Sequence, residues 1–158
     1  ERLFAAAGFR VCDLSLVYSG QYLHLVAEPA ARASEPAHPV APILKGVESF
    51  QVSVGQAISR WHSFLRDQPP GSVALWGSGS KATGFLTTVG SHDKIDCVVD
   101  INPDKHGRFV AGSGHEIVAP ATLCERNIET LIIMNPIYED EIRRDVQALC
   151  LNPRMLAL

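Results

Sequence analysis

The chain has 158 residues, 46% hydrophobic and 20% charged, with 14 basic against 17 acidic side chains and a formal net charge of −3. That bounds one medium domain or a small domain with attachments and argues against a nucleic-acid binder steered by a basic surface. It contains no run of about 18 apolar residues to span a membrane.

The opening "ERLFAAAGFRV" has no basic leader region, no cleavage site and no initiator Met, so it reads as the interior of a longer protein. Leu3, Phe4 and Ala7 share one helical face, and Gly8 is the expected stop. "CDLSLVY" then alternates, with Cys12, Leu14, Leu16 and Tyr18 on one face. Ser19-Gly20 is a two-residue turn signal, and "QYLHLVA" is the returning strand. A helix and one hairpin cannot form a core alone. This piece is therefore expected to be the tail of a larger domain or to pack on the rest of the chain. "EPAARASEPAHPVAP", residues 28–42, carries four prolines without periodicity and reads as a linker.

A long helix is expected at about 44–67. Val47, Phe50, Val54, Ile58, Trp61 and Leu65 recur every three or four residues, and Pro69-Pro70-Gly71 stops it. The stripe, Phe50 and Trp61 included, is expected to be buried. Beyond it, short strands and helices alternate: "SVALW", a helix over Lys81–Thr88, "IDCVVD", "HEIVAP", "ETLIIMN", a helix over Glu139–Leu149, and "RMLAL" as an edge strand. Near-continuous apolar strands between helices predict an α/β, Rossmann-like fold, with a mainly parallel sheet covered by helices on both faces. The N-terminal antiparallel hairpin is expected outside that sheet.

Four cysteines, Cys12, Cys97, Cys124 and Cys150, fit no zinc spacing. The first two and Cys150 lie in apolar runs and are expected to be buried thiols of a reducing cytoplasm. The six histidines are scattered, so no metal site is expected.

Three clusters carry chemistry. "WGSGSKATG", residues 76–84, follows a strand and opens a helix, and Gly77-x-Gly79-x-x-Ala82 fits the dinucleotide fingerprint. Gly77 permits a tight turn, Gly79 lets a ligand approach, and the helix N-terminus at Ser80 offers free N–H groups to an anion. Lys81 opposes the helix dipole and so calls for an anionic partner. The competing reading is a simple strand-to-helix turn with a solvated lysine. "DINPDKHGRFVAG" starts at a strand's C-terminal end. There Asp100 stands 23 residues after Gly77, Asn102-Pro103 turns, Lys105 and Arg108 add charge, and Gly107 permits positive φ. "NPIYEDEI" again follows a strand; Asn135 either meets a ligand or satisfies its turn. Glu139, Asp140 and Glu141 suit a first helical turn. No nucleophile–base arrangement emerges, so no catalytic residue is expected in this chain.

Together, "WGSGSKATGFL", "VVDINPDKHGRFVAGSGHEIVAP" and "LIIMNPIYEDEI" resemble the C-terminal domain of S-adenosylmethionine-dependent C-methyltransferases, including those that act on nucleotide-linked deoxy-sugars. The opening "ERLFAAAGFRV" and "SGQYLHLVA" resemble the last helix and last two strands of the methyltransferase domain that precedes it. The resemblance implies residues 1–28 as a methyltransferase tail, 29–43 as a linker and 44–158 as a Rossmann-like C-terminal domain. It implies S-adenosylmethionine as cofactor of the intact protein, bound upstream with the catalytic residues. It also implies a nucleotide-sugar or other phosphate-bearing substrate, and the upstream domain as partner. The expected substrate-binding residues are Gly77, Gly79, Ser80, Lys81, Asp100, Asn102, Lys105, Gly107, Asn135, Tyr138 and Glu141. Two alternatives stand beside this reading: an NAD-binding module of an oxidoreductase, and a structural or assembly domain that binds nothing.

Overall fold

The computed structural model describes residues 1–31, 40–90 and 93–158. Most of the residues expected to form the linker lie outside these. The chain divides into two compact units, Glu1–Phe50 and Gln51–Leu158.

In the first unit, α1 (Arg2–Ala6) ends where Gly8 takes a positive φ of 83°. Strands β1 (Phe9–Val17) and β2 (Tyr22–Pro29) form a separate antiparallel two-stranded sheet. Ser19 and Gly20 sit at the centre of the turn with φ of 54° and 79°, as a mirror-type hairpin turn requires. The Gln21 N–H donates to the Tyr18 carbonyl at 3.2 Å. The even alternation read from the sequence fails at Cys12. The register shifts between Val11 and Asp13, so Cys12 bulges out of line with Leu14 and Leu16. No described side chain of this unit is fully buried.

The second unit contains a five-stranded, all-parallel sheet in the order β5-β4-β3-β6-β7. Its strands are β3 (Val73–Trp76), β4 (Ile95–Val99), β5 (Ile117–Val118), β6 (Thr130–Ile133) and β7 (Arg154–Ala157). "RMLAL" is thus the expected edge strand, whereas "HEIVAP" contributes only two residues. Alternation along β3 divides the core into two layers. Val73 and Leu75 pack with α3 (Ser80–Val89) through Ala82, Phe85, Leu86 and Val89, and with Leu65 of α2 (Val40–Arg66). Ala74 and Trp76 face the other way, toward Leu123 and toward Ile142 and Val146 of α4 (Glu139–Ala148). Helices therefore cover both faces, which is why the central strand β3 is apolar at every position.

The long helix departs from expectation. It begins at Val40, and its stripe is only partly covered. Leu65 is fully buried, and Trp61 is partly buried with its ring edge-on to Phe85 at 5.3 Å. Phe50, however, is 68% exposed, and Val47 and Val54 are exposed too. Of this stripe only Trp61 and Leu65, with Phe64 beside them, pack against the core of the second unit. The cysteine expectation also needs correction: Cys97 is buried, but Cys12, Cys124 and Cys150 are exposed. Cys12 sits at the bulge, and Cys150 adopts a left-handed φ of 57° just beyond α4. An apolar run in sequence did not bury every side chain within it. No helix among the described residues is long and apolar enough to cross a membrane.

Leu75→Ala, in the middle of the central strand, is expected to cost about 2–5 kcal/mol in urea unfolding. Phe50→Ala should stay within about 0.5 kcal/mol. A large loss at Phe50 would mean that something covers that stripe.

Candidate functional site

After β3 the chain moves outward through β4 to β5, then returns to place β6 on the other side of β3. The loops that follow β3 and β6 therefore part in opposite directions. Open α/β sheets form their binding crevice at such a reversal, outside the C-terminal ends of the strands.

The loop after β3 is built around two glycines with different duties. Gly77 has a φ of 105°, which side-chain-bearing residues rarely adopt. Its N–H donates to the Val99 carbonyl at 2.8 Å, tying the loop to β4. Gly79 is the N-cap of α3 with an ordinary φ of −78°, and a Cβ there would meet nothing within 4 Å. The space over Gly79 is open. No side chain caps α3, so the N–H groups of its first turn, including Ser80 and Lys81, point out along the helix axis.

Asp100 fastens this loop to the one after β4. Its Oδ2 accepts the Ser78 N–H at 3.0 Å, the Ser78 hydroxyl, and the Lys105 ammonium at 3.0 Å. Its Oδ1 accepts the Asn102 N–H at 2.9 Å. Burial alone pushes this carboxyl up, but the Ser78, Asn102 and Lys105 donors outweigh it and hold the group down at about 2. The neighbouring groups complete the loop. Asn102 Oδ1 accepts the Asp104 N–H at 3.0 Å, and a His106 ring nitrogen meets the Asp100 carbonyl at 2.7 Å. Gly107, at φ 74°, donates its N–H to Ile117 and turns the chain toward β5.

Lys81 reaches across the reversal point. Its ammonium lies 3.4 Å from the side-chain oxygen of Asn135, in the loop after β6, rather than on a carboxylate. The ammonium is exposed beside the uncapped start of α3.

Of the expected residues, Gly77, Asp100, Asn135, Tyr138 and Glu141 line one cavity of about 320 Å³. Gly79, Ser80 and Lys81 stand at the start of α3, outside that lining. Asn102, Lys105 and Gly107 belong to the loop after β4 and do not line it. Four lining residues, Trp76, Ile101, Ile142 and Asp145, were not anticipated. For one of them a partial signal existed: Asp145 follows Glu141 by four positions, so the two share a helix face. Among the described residues no group of three or more His, Cys, Asp or Glu is placed to hold a metal ion.

Comparison with known proteins gives one family. The family described as "C-methyltransferase C-terminal domain" matches residues 31–152. No curated protein matches the chain. Among solved structures, the chain is similar to RSP, a Rex-family repressor, at 10% identity with a TM-score of 0.42, covering 54% of this chain and 51% of that one. The same repressor with beta-NAD+ and operator DNA gives 11% identity and a TM-score of 0.41, covering 54% and 48%. Its complex with beta-NADH gives 13% and 0.39, covering 54% and 52%. The chain thus spans about half the length of the solved structures it matches.

The Asp100 clasp carries a pH signature. Its folded pKa, about 2, lies below the ordinary 3.8, so the clasp stabilises the fold above roughly pH 4 and is lost as pH falls through the folded value. Asp100→Asn should cost roughly 2 kcal/mol near neutrality. The gap to the parent should narrow steadily as urea unfolding is repeated from pH 5 toward pH 2. A gap independent of pH over that range would show that the charge is not what holds the loops.

Proposed function

The chain belongs to the C-methyltransferase C-terminal domain family, and from that premise we propose that it is the substrate-positioning part of a larger S-adenosylmethionine-dependent C-methyltransferase. Its substrate carries phosphate, and a nucleotide-linked sugar has the required chemistry. The observation that carries this reading is the meeting of an uncapped helix N-terminus, the open space over Gly79 and the Lys81 ammonium at the reversal point of the sheet. Free N–H groups with a cation on the same helical turn attract a phosphate and offer it charge-assisted hydrogen bonds. Asn135 braces the lysine, and Asp100 with Lys105, Asn102 and Gly107 fixes the loops that shape the cleft. These residues act through the loops, whereas Gly79, Ser80 and Lys81 meet the anion.

The residues present do not fit the methyl donor. An acidic residue at the end of a second strand binds ribose hydroxyls when its oxygens are open, but both oxygens of Asp100 are engaged within the protein. The same observation weighs against an NAD site. We assign the donor and the catalytic groups to the upstream methyltransferase domain, and no transfer step to this chain. In this reading residues 1–28 are the tail of that domain, 29–43 the linker and 44–158 the substrate domain. The exposed apolar side chains of the hairpin, Leu16 at 69% and Leu23 at 63%, fit a piece whose core lies elsewhere.

Titration calorimetry tests this with uridine diphosphate glucose, NAD and S-adenosylmethionine. The sugar nucleotide should bind most tightly, and Lys81→Ala should weaken it about tenfold or more while thermal unfolding stays within a degree or two. Micromolar binding of S-adenosylmethionine would overturn the division of labour, and tighter binding of NAD would favour an oxidoreductase module.

A further inference from the structure

The cavity beside the Lys81 loop has a chemistry of its own. Its lining includes the apolar side chains of Trp76, Ile101 and Ile142 together with Tyr138. Its charged groups are three carboxylates, Asp100, Glu141 and Asp145, and the lining holds no lysine, arginine or histidine. Lys105 offsets the charge of Asp100, and the Lys81 ammonium meets the lining at Asn135, so the acidic side of the cavity is the α4 side. Glu141 and Asp145 stand four positions apart on α4 and present two acceptors on the same wall. A phosphate entering against α4 would meet the like charge of Glu141 and Asp145 beside apolar side chains, where repulsion is screened less than in bulk water. An uncharged ring bearing hydroxyls would donate to the two carboxylates and lay its C–H face on the apolar side chains and the tyrosine.

We propose that this cavity is the subsite for an uncharged, hydroxyl-bearing sugar ring of the substrate, gripped by Glu141 and Asp145 and closed to the phosphates. The inference rests on the substrate-positioning reading above and adds a division within the site. The anion stays at the start of α3 with Lys81, and the ring lies between α4 and the strand ends. Ring and anion are then recognised by different residues, so a ligand offering only one of them binds weakly.

Calorimetric titrations of the whole chain with pyrophosphate, uridine diphosphate and uridine diphosphate glucose separate the two halves. Glu141→Gln and Asp145→Asn, both at solvent-accessible positions of α4, should each weaken the best ring-bearing ligand about fivefold to tenfold. Pyrophosphate affinity should stay the same or tighten slightly, since a repelling charge is gone. If uridine diphosphate alone feels the substitutions fully, the ring is the ribose; if the glucose is needed, the ring is the hexose. Equal tightening of all three ligands would overturn the proposal by placing phosphate in the cavity, and so would no change in any of them. Lys81→Ala keeps the two readings apart. It should weaken all three ligands about equally, and if it does so while the carboxylate variants are silent, the anion reading stands and the ring subsite fails. Sensitivity to the carboxylates with none to Lys81 would leave the ring subsite standing and remove the anion from the start of α3. Absence of binding by all three ligands would overturn both.

Discussion

Asp100 sits at the end of β4, almost inaccessible to water, and accepts four hydrogen bonds from three residues on two loops. Without it, the backbone N–H of Ser78 would lose its acceptor, and the glycine-flanked loop would have only its ends fixed. With it, Gly77–Gly79 is pinned to the second strand, and α3 starts in a defined place. An unpaired buried carboxylate would be costly, but each oxygen here has donors and a lysine supplies the counter-charge. The position of the Lys81 ammonium and the shape of the neighbouring cavity both descend from that arrangement.

The sheet makes the clasp possible. Because every strand is parallel, the ends of β3, β4 and β6 emerge on the same edge, and Asp100 and Asn135, far from Gly77 in sequence, come to stand around it. The core on either side is thin. Strands of two to five residues leave room for one layer of side chains per face, with Leu75 and Ile132 in one and Trp76 and Ile133 in the other. Burial on both faces also removes Cys97 from chemistry: burial pushes its thiol up to about 12, so it stays protonated and inert.

Division of labour follows from the electrostatics. Lys105 is engaged by Asp100, whereas Lys81 leans on a neutral amide and keeps its charge available. Glu141 and Asp145 then give the adjoining cavity the opposite sign. The Lys81 ammonium on Asn135 and the carboxylates of α4 thus place charges of opposite sign at one cavity.

Local signals in the chain were enough to specify the elements and their class. Apolar runs of strand length and helical stripes are such signals, and Gly8 and Gly77 mark backbone turns that local geometry demands. The three clusters at strand ends were legible for the same reason. The folded arrangement decided what those signals could not carry. The stripe is continuous in sequence, yet Leu65 is buried while Phe50 is exposed. A bulge, invisible in the alternation, turned Cys12 out of line. In the site, the pairing of charges separated a structural carboxylate from available ones: Asp100 matched a ligand-binding position by spacing, yet Ser78, Asn102 and Lys105 occupy its oxygens. The spacing of Glu141 and Asp145 puts them on one helix face, but only the folded chain decides that this face meets the crevice. Periodicity fixes local conformation through neighbours a few residues away, whereas burial and charge compensation depend on groups that only the folded chain brings together.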